Sequence, residues 1–164
     1  MAVSDMASES STRTAAATGV RLDPWQAGAA GGVIGGVVFG ILMTVQMPMI
    51  IENAIPGMYG FGPEALAIGW AIHLAHSAVL GVVFGLALGH GGLDEQLGTP
   101  VAITAAGIAY GVVLWLVLAS FVMPAWVGTT TGMAPPVPDW NLDSLLGHAV
   151  YGALLGIVYA VLSR

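Results

Sequence analysis

The chain has 164 residues, of which 57% are hydrophobic and only 7% are Asp, Glu, Lys or Arg. A soluble domain carries about a quarter of its residues as charges, so a soluble domain and a disordered protein are both excluded. The net charge of −6 comes with three arginines and no lysine, which excludes a basic face for nucleic acid, and the absence of cysteine excludes disulfides, thiolate metal sites and cysteine nucleophiles.

Residues 1–22 read as a disordered cytoplasmic tail. They are rich in Ser, Thr and Ala, with Asp5 and Glu9. They lack the cationic start and apolar run of a secretory signal. Residues 23–164 then form one domain of four transmembrane helices, located by windows free of charge. A span needs about 20 mostly apolar residues. The window 24–51 holds the first span, over about 27–47, and the window 65–93 holds the second, over about 65–88. The window 96–138 is too long for one span, and Pro124 with the loop 128–138 ends its helix near Val122. The fourth span covers about 143–163, with Asp143 placed to cap it. Helices are the only structure that such runs adopt in lipid, so the fold class is all-α, an integral membrane four-helix bundle.

Four spans put both termini on one side. That side carries Arg13, Arg21 and Arg164, whereas the opposite loops 52–64 and 124–143 contain neither Lys nor Arg. The positive-inside rule places both termini in the cytoplasm of a multi-pass cell-membrane protein. Trp25 falls at the inner boundary, and Tyr59, Phe61, Trp126 and Trp140 fall at the outer one. The acidic, lysine-free balance hints at a high-salt cytoplasm.

The chain repeats itself at an offset of 75–76 residues. Gly35, Val37, Phe39 and Met47-Pro48 fall on Gly111, Val113, Trp115 and Met123-Pro124, and Thr44 falls on Ser120. His73, His76, Gly81 and Phe84 fall on His148, Tyr151, Gly156 and Tyr159. Residues 24–93 and 98–164 therefore read as two tandem parallel two-helix repeats, related by an axis along the membrane normal. Rows of small residues predict close helix packing: Gly28, Gly32, Gly36 and Gly40; Ser77, Gly81, Gly85 and Gly89; Gly152, Gly156 and Ala160.

The polar residues inside the spans are the candidate functional ones. His73 lies one turn before Ser77 and His148 one turn before Gly152, so both face the packed interior at matching depth. An ionisable residue within a membrane is a functional-site hypothesis. A neutral imidazole hydrogen-bonded between helices, a proton or solute relay, and a metal or haem ligand are the readings it leaves open. A haem held between His73 and His148 does not fit a glycine-to-glycine crossing, because facing helices sit only about 8–10 Å apart. His76 and Tyr151 rank below these two. His90 falls at the inner boundary as a solvated residue. Met43, Met47, Met49, Met58, Met123 and Met133 gather at the outer side, and thioethers select Cu(I), although methionine also fills apolar gaps. His73, His148, Met47 and Met123 are the side chains that would ligate a metal. Glu52, Glu64, Asp139 and Asp143 read as interfacial caps at span ends.

Met47-Pro-Met, Met58-Tyr, Gly69-Trp-x-x-His73-Leu-x-His-Ser, Tyr110-Gly-x-x-Leu-Trp115, Met123-Pro and Ser144-Leu-Leu-Gly-His-x-x-Tyr-Gly resemble a family of small uncharacterised four-span membrane proteins of haloarchaea and bacteria. The resemblance covers roughly residues 27–163. It implies a fold more than a function. Some members carry the label histidine kinase, but no ATP-binding domain fits this chain, and His73 and His148 lie inside the predicted membrane.

No nucleophile elbow, zincin helix or Walker loop is present, and no catalytic residue is assigned. The favoured reading is a non-enzymatic structural or accessory subunit of a membrane assembly, homo-oligomeric or bound to other chains. A small solute, ion or proton transporter with its path at His73 and His148 is the first alternative. A redox module carrying haem or copper is the second.

Overall fold

The computed structural model describes residues 21–164. The predicted tail, residues 1–22, lies almost wholly outside the described residues. Among the described residues, four helices are long and apolar enough to cross a membrane: Pro24–Gln46, Leu66–His90, Pro100–Thr131 and Leu142–Leu162.

The first helix, α1 (Pro24–Gln46), starts where Pro24 takes the first helical position and Gln26 Oε1 accepts from the Asp23 N–H at 3.1 Å. It stops at Met47, which leaves helical geometry at φ −137° because it precedes Pro48. The next stretch was expected to be an outer loop from Glu52 onward. It is instead helical, as a π-helical turn π1 (Ile50–Ala54) followed by α2 (Ile55–Gly57). Ile51, Ala54, Ile55, Pro56 and Met58 are buried, so this segment folds back and closes one end of the bundle. It seats on Gly69, where an added Cβ would overlap the Ile51 carbonyl oxygen.

Helix α3 (Leu66–His90) returns across the bundle, and the short α4 (Leu93–Leu97) turns the chain at the far end. Thr99 then caps α5 (Pro100–Leu114), its hydroxyl oxygen accepting from the Ala102 N–H at 3.2 Å.

Pro124 does not end this helix, contrary to expectation. A π-helical stretch, π2 (Trp115–Val122), carries α5 into α6 (Met123–Thr131) without a break. Proline in an α-helix deprives and crowds the carbonyl four residues back. In the wider turn Met123 N–H donates to Leu118 O, five residues back, and the Ser120 hydroxyl donates to Trp115 O at 3.1 Å. Gly132, at φ 72°, terminates α6. Helix α7 (Leu142–Leu162) is capped by Asn141 rather than Asp143. The Asn141 side chain accepts from the Ser144 N–H at 2.9 Å, which puts Asp143 inside the first turn.

The first described turn and the last helix meet at one end, where Leu22 N–H donates to Leu162 O at 2.9 Å. Helix α1 is the central element and packs on both α3 and α7, while α5 packs on α7. Two rows of glycine make this possible. Gly28 and Gly32 meet the backbone of α3 at Ser77 and Gly81, while Gly31 and Gly35 meet α7 at Leu155 and Tyr151. Gly36 rests on the Ser77 side chain and Gly40 on the Trp70 ring. Gly85 abuts the Pro24 carbonyl. Gly152 and Gly156 receive Gly107 and the Ile103–Thr104 backbone of α5. These contacts are the close approaches that small residues permit.

Helices α3 and α5 do not pack backbone to backbone. They touch through side chains. Tyr110 Oη donates to Leu80 O at 2.9 Å, and the Phe84 and Tyr110 rings lie 5.3 Å apart.

Candidate functional site

The gap between α3 and π2 widens into a cavity of about 310 Å³ at the end closed by π1 and α2. Phe39 and Met43 of α1, with Met47 just after it, form one wall, and His73, His76 and Leu80 of α3 form another. Leu118, Val122 and Met123 face them, with Ser144 and His148 entering from α7. The cavity is nearly all apolar apart from its histidines and a cluster at the start of α7.

His73 is buried, and its Nε2 lies 2.9 Å from the Gly36 carbonyl oxygen. A carbonyl only accepts, so Nε2 carries the proton and Nδ1 keeps its lone pair in the neutral ring. His148 has the opposite tautomer. Its Nδ1 lies 2.7 Å from the Ser144 carbonyl oxygen, one turn earlier in α7, so Nε2 keeps the lone pair. The Ser144 hydroxyl is 3.4 Å from the same Nδ1.

The phenyl ring of Phe39 meets both imidazoles edge-on, at centroid distances of 5.5 Å to His73 and 4.8 Å to His148. Helix α1 thus supplies an apolar wedge where the two histidines converge, and no hydrogen bond joins them. A macrocycle ligated by both rings would have to displace Phe39. Among the described residues, no group of three or more His, Asp or Glu side chains gathers at metal-ligand spacing.

His76 Nε2 pairs with Tyr59 Oη at 2.6 Å, and the Tyr59 ring lies 5.3 Å from that of Trp126. Tyr59 therefore spans two lining residues from the segment after α2. Asp139, expected as an interfacial cap, lines the cavity instead. Its backbone N–H donates to Ser120 O at 2.9 Å, the carbonyl four residues before Pro124.

Of the residues singled out in the sequence, His73, His76, His148, Met47 and Met123 all line this one cavity. Tyr151 does not. Its hydroxyl donates to Ser77 O at 2.8 Å and ties α7 to α3. Met49 is exposed. Sequence reasoning missed Phe39, Asn141, Ser144 and the Tyr59–His76 pair. For Phe39 the available signal was its one-turn spacing from Gly35 and Met43 on the inner face of α1.

The class defined by this fold is an all-helical protein with four helices of membrane-spanning length and apolarity. The chain belongs to a family of unknown function, DUF6789, which matches residues 22–164. No curated protein and no solved structure matches it.

Proposed function

We propose that this chain is a small multi-pass membrane protein that binds, rather than transforms, a small apolar molecule in the cavity at the outer end of its bundle. The observation that carries the reading is convergence. Side chains from every long helix, including His73, His76 and His148, meet in a space of about 310 Å³. Engineered apolar cavities of about 150 Å³ already hold benzene, and ligand sites start near about 300 Å³.

Membrane insertion is supported by the four apolar helices and by the valines, isoleucines and leucines that they leave exposed. Descent from two tandem hairpins is supported by the glycine crossings within each hairpin, Gly32 on Gly81 and Gly107 on Gly152. Both termini lie in the cytoplasm on the arginine count. The small extramembrane portion favours an accessory subunit, or a homo-oligomer, that presents the bound molecule to a larger assembly.

The test uses 4-butylanisole, an apolar probe without a hydrogen-bond donor, and saturation-transfer NMR in nanodiscs. Binding is expected to the wild type and to Ala105→Trp, whose site is exposed on α5, and to be lost in Ala119→Trp, which fills the cavity. Unchanged binding in Ala119→Trp overturns the proposal.

A soft-metal carrier is the second reading. Met47, Met123, His73 and His148 share one cavity, and thioether with imidazole is a Cu(I) donor set. Stoichiometric Cu(I) uptake that falls in Met47→Leu, Met123→Leu would favour it over the organic ligand.

A further inference from the structure

We infer that the cavity takes a lipid-soluble molecule with a hydrogen-bond donor on its head, of the alkylphenol or hydroquinone kind, and that each such hydroxyl donates to one free ring nitrogen, that of His73 or that of His148. This inference rests on the reading of the cavity as a binding site and names the chemistry of its ligand.

The two tautomers are set by the backbone. Gly36 O takes the proton of His73 Nε2, and Ser144 O takes that of His148 Nδ1. Among the described residues, His73 Nδ1 and His148 Nε2 have no hydrogen-bond partner. Both residues line the cavity. His76 Nε2 is already engaged by Tyr59 Oη, and the Asn141 side-chain oxygen by Ser144 N–H, while the Asp139 carboxylate is a further acceptor in the lining. The cavity therefore offers lone pairs deep in an apolar space. An acceptor left without a donor there costs free energy, which a ligand hydroxyl recovers. A ligand that brings only acceptors leaves both nitrogens unmet and is disfavoured.

The route to the cavity also favours a molecule dissolved in lipid. At the repeat offset, the glycine row Gly28, Gly32 and Gly36 of α1 falls on Thr104, Ile108 and Val112 of α5. Helix α5 keeps Gly107 and Gly111, and both are used against α7. No glycine row is left to bring α5 onto α3, and the bulky Tyr110 stands between them on Leu80 and Phe84, so the two backbones stand apart. The cavity lies in that gap, between Leu80 and Leu118. Ile108 and Val112 on α5, and Val79 and Val83 on α3, are exposed and apolar, as lipid-facing residues are.

The test compares 4-butylphenol with 4-butylanisole, which share a body and differ by one donor. In nanodiscs, the wild type is expected to bind the phenol about tenfold more tightly, as one hydrogen bond in an apolar site supplies. In protein labelled with ¹⁵N-histidine, the signal of His73 Nδ1 or His148 Nε2 shifts with the phenol and not with the anisole. In the double variant His73→Phe, His148→Phe, the preference disappears while the anisole still binds, and that retained binding shows that the variant folds. Equal affinities without a ¹⁵N shift overturn the donor inference and leave the cavity reading standing. Failure of both probes to bind the wild type overturns the two together. If the double variant does not fold, the wild-type affinities and ¹⁵N shifts decide alone.

Discussion

The backbone N–H of Asp139 donates to the Ser120 carbonyl at 2.9 Å. Pro124 makes that bond available, because it has no N–H to offer the carbonyl four residues back. The bond holds the 133–141 segment against π2, where Trp140 packs on Trp115 at 5.6 Å and on Phe121 at 5.9 Å. Substitution Pro124→Ala supplies a competing donor. Hydrogen exchange at the Asp139 amide is expected to rise by about fivefold to tenfold, as loss of one net hydrogen bond implies. Unchanged protection would contradict this account of the loop.

The glycine crossings carry the bundle. An added Cβ on Gly81 overlaps the Gly28 carbonyl oxygen, so Gly81→Ala must push α3 off α1. A loss of about 2–3 kcal/mol in unfolding by sodium dodecyl sulfate is expected, within the range for overpacked cores. Gly128 is the control. Its nearest neighbour to an added Cβ is Met133 O at 3.6 Å, so Gly128→Ala is tolerated and gains up to about 1 kcal/mol of helix propensity.

The wedge between the histidines is equally testable. Phe39 is buried against both imidazoles, and Phe39→Ala is expected to cost about 3–5 kcal/mol. It also enlarges the cavity, so the variant should accept probes bulkier than 4-butylanisole that the wild type rejects. A neutral thermal shift would show that the ring is not part of the packed core.

Much of this arrangement is legible in the sequence because its causes are local. Charge-free windows place the ends of the first, second and fourth helices within about three residues, since only apolar runs form such helices. The small-residue rows on α1 and α3 face each other as their spacing requires, and the row on α7 faces α5. The misreadings share a different cause. Pro124 reads as a stop because a proline is judged against α-geometry, and π2 accommodates it by widening one turn. The stretch from Glu52 onward reads as a loop because Glu52 marks a span end, although Ile51, Ala54 and Ile55 show helical spacing. Asn141 outcompetes Asp143 as the cap by two positions. The spatial grouping of Met47, His73, Met123 and His148 depends on how α3 and α5 stand apart, which is a tertiary property.

Tyr59 bridges His76 and Trp126 at the cavity, and its ring is 44% exposed. Its removal should therefore act on access more than on folding. In Tyr59→Ala, dissociation of 4-butylanisole is expected to speed up severalfold, with unfolding shifted by less than about 1 kcal/mol. An unchanged dissociation rate would place the entrance elsewhere.

The most direct test of a binding role is native mass spectrometry of untagged protein released from its own membrane in mild detergent. The account predicts a copurifying molecule of small, apolar character bound to the wild type and absent from Ala119→Trp. The same adducts on both proteins, or bare protein in each, would contradict it.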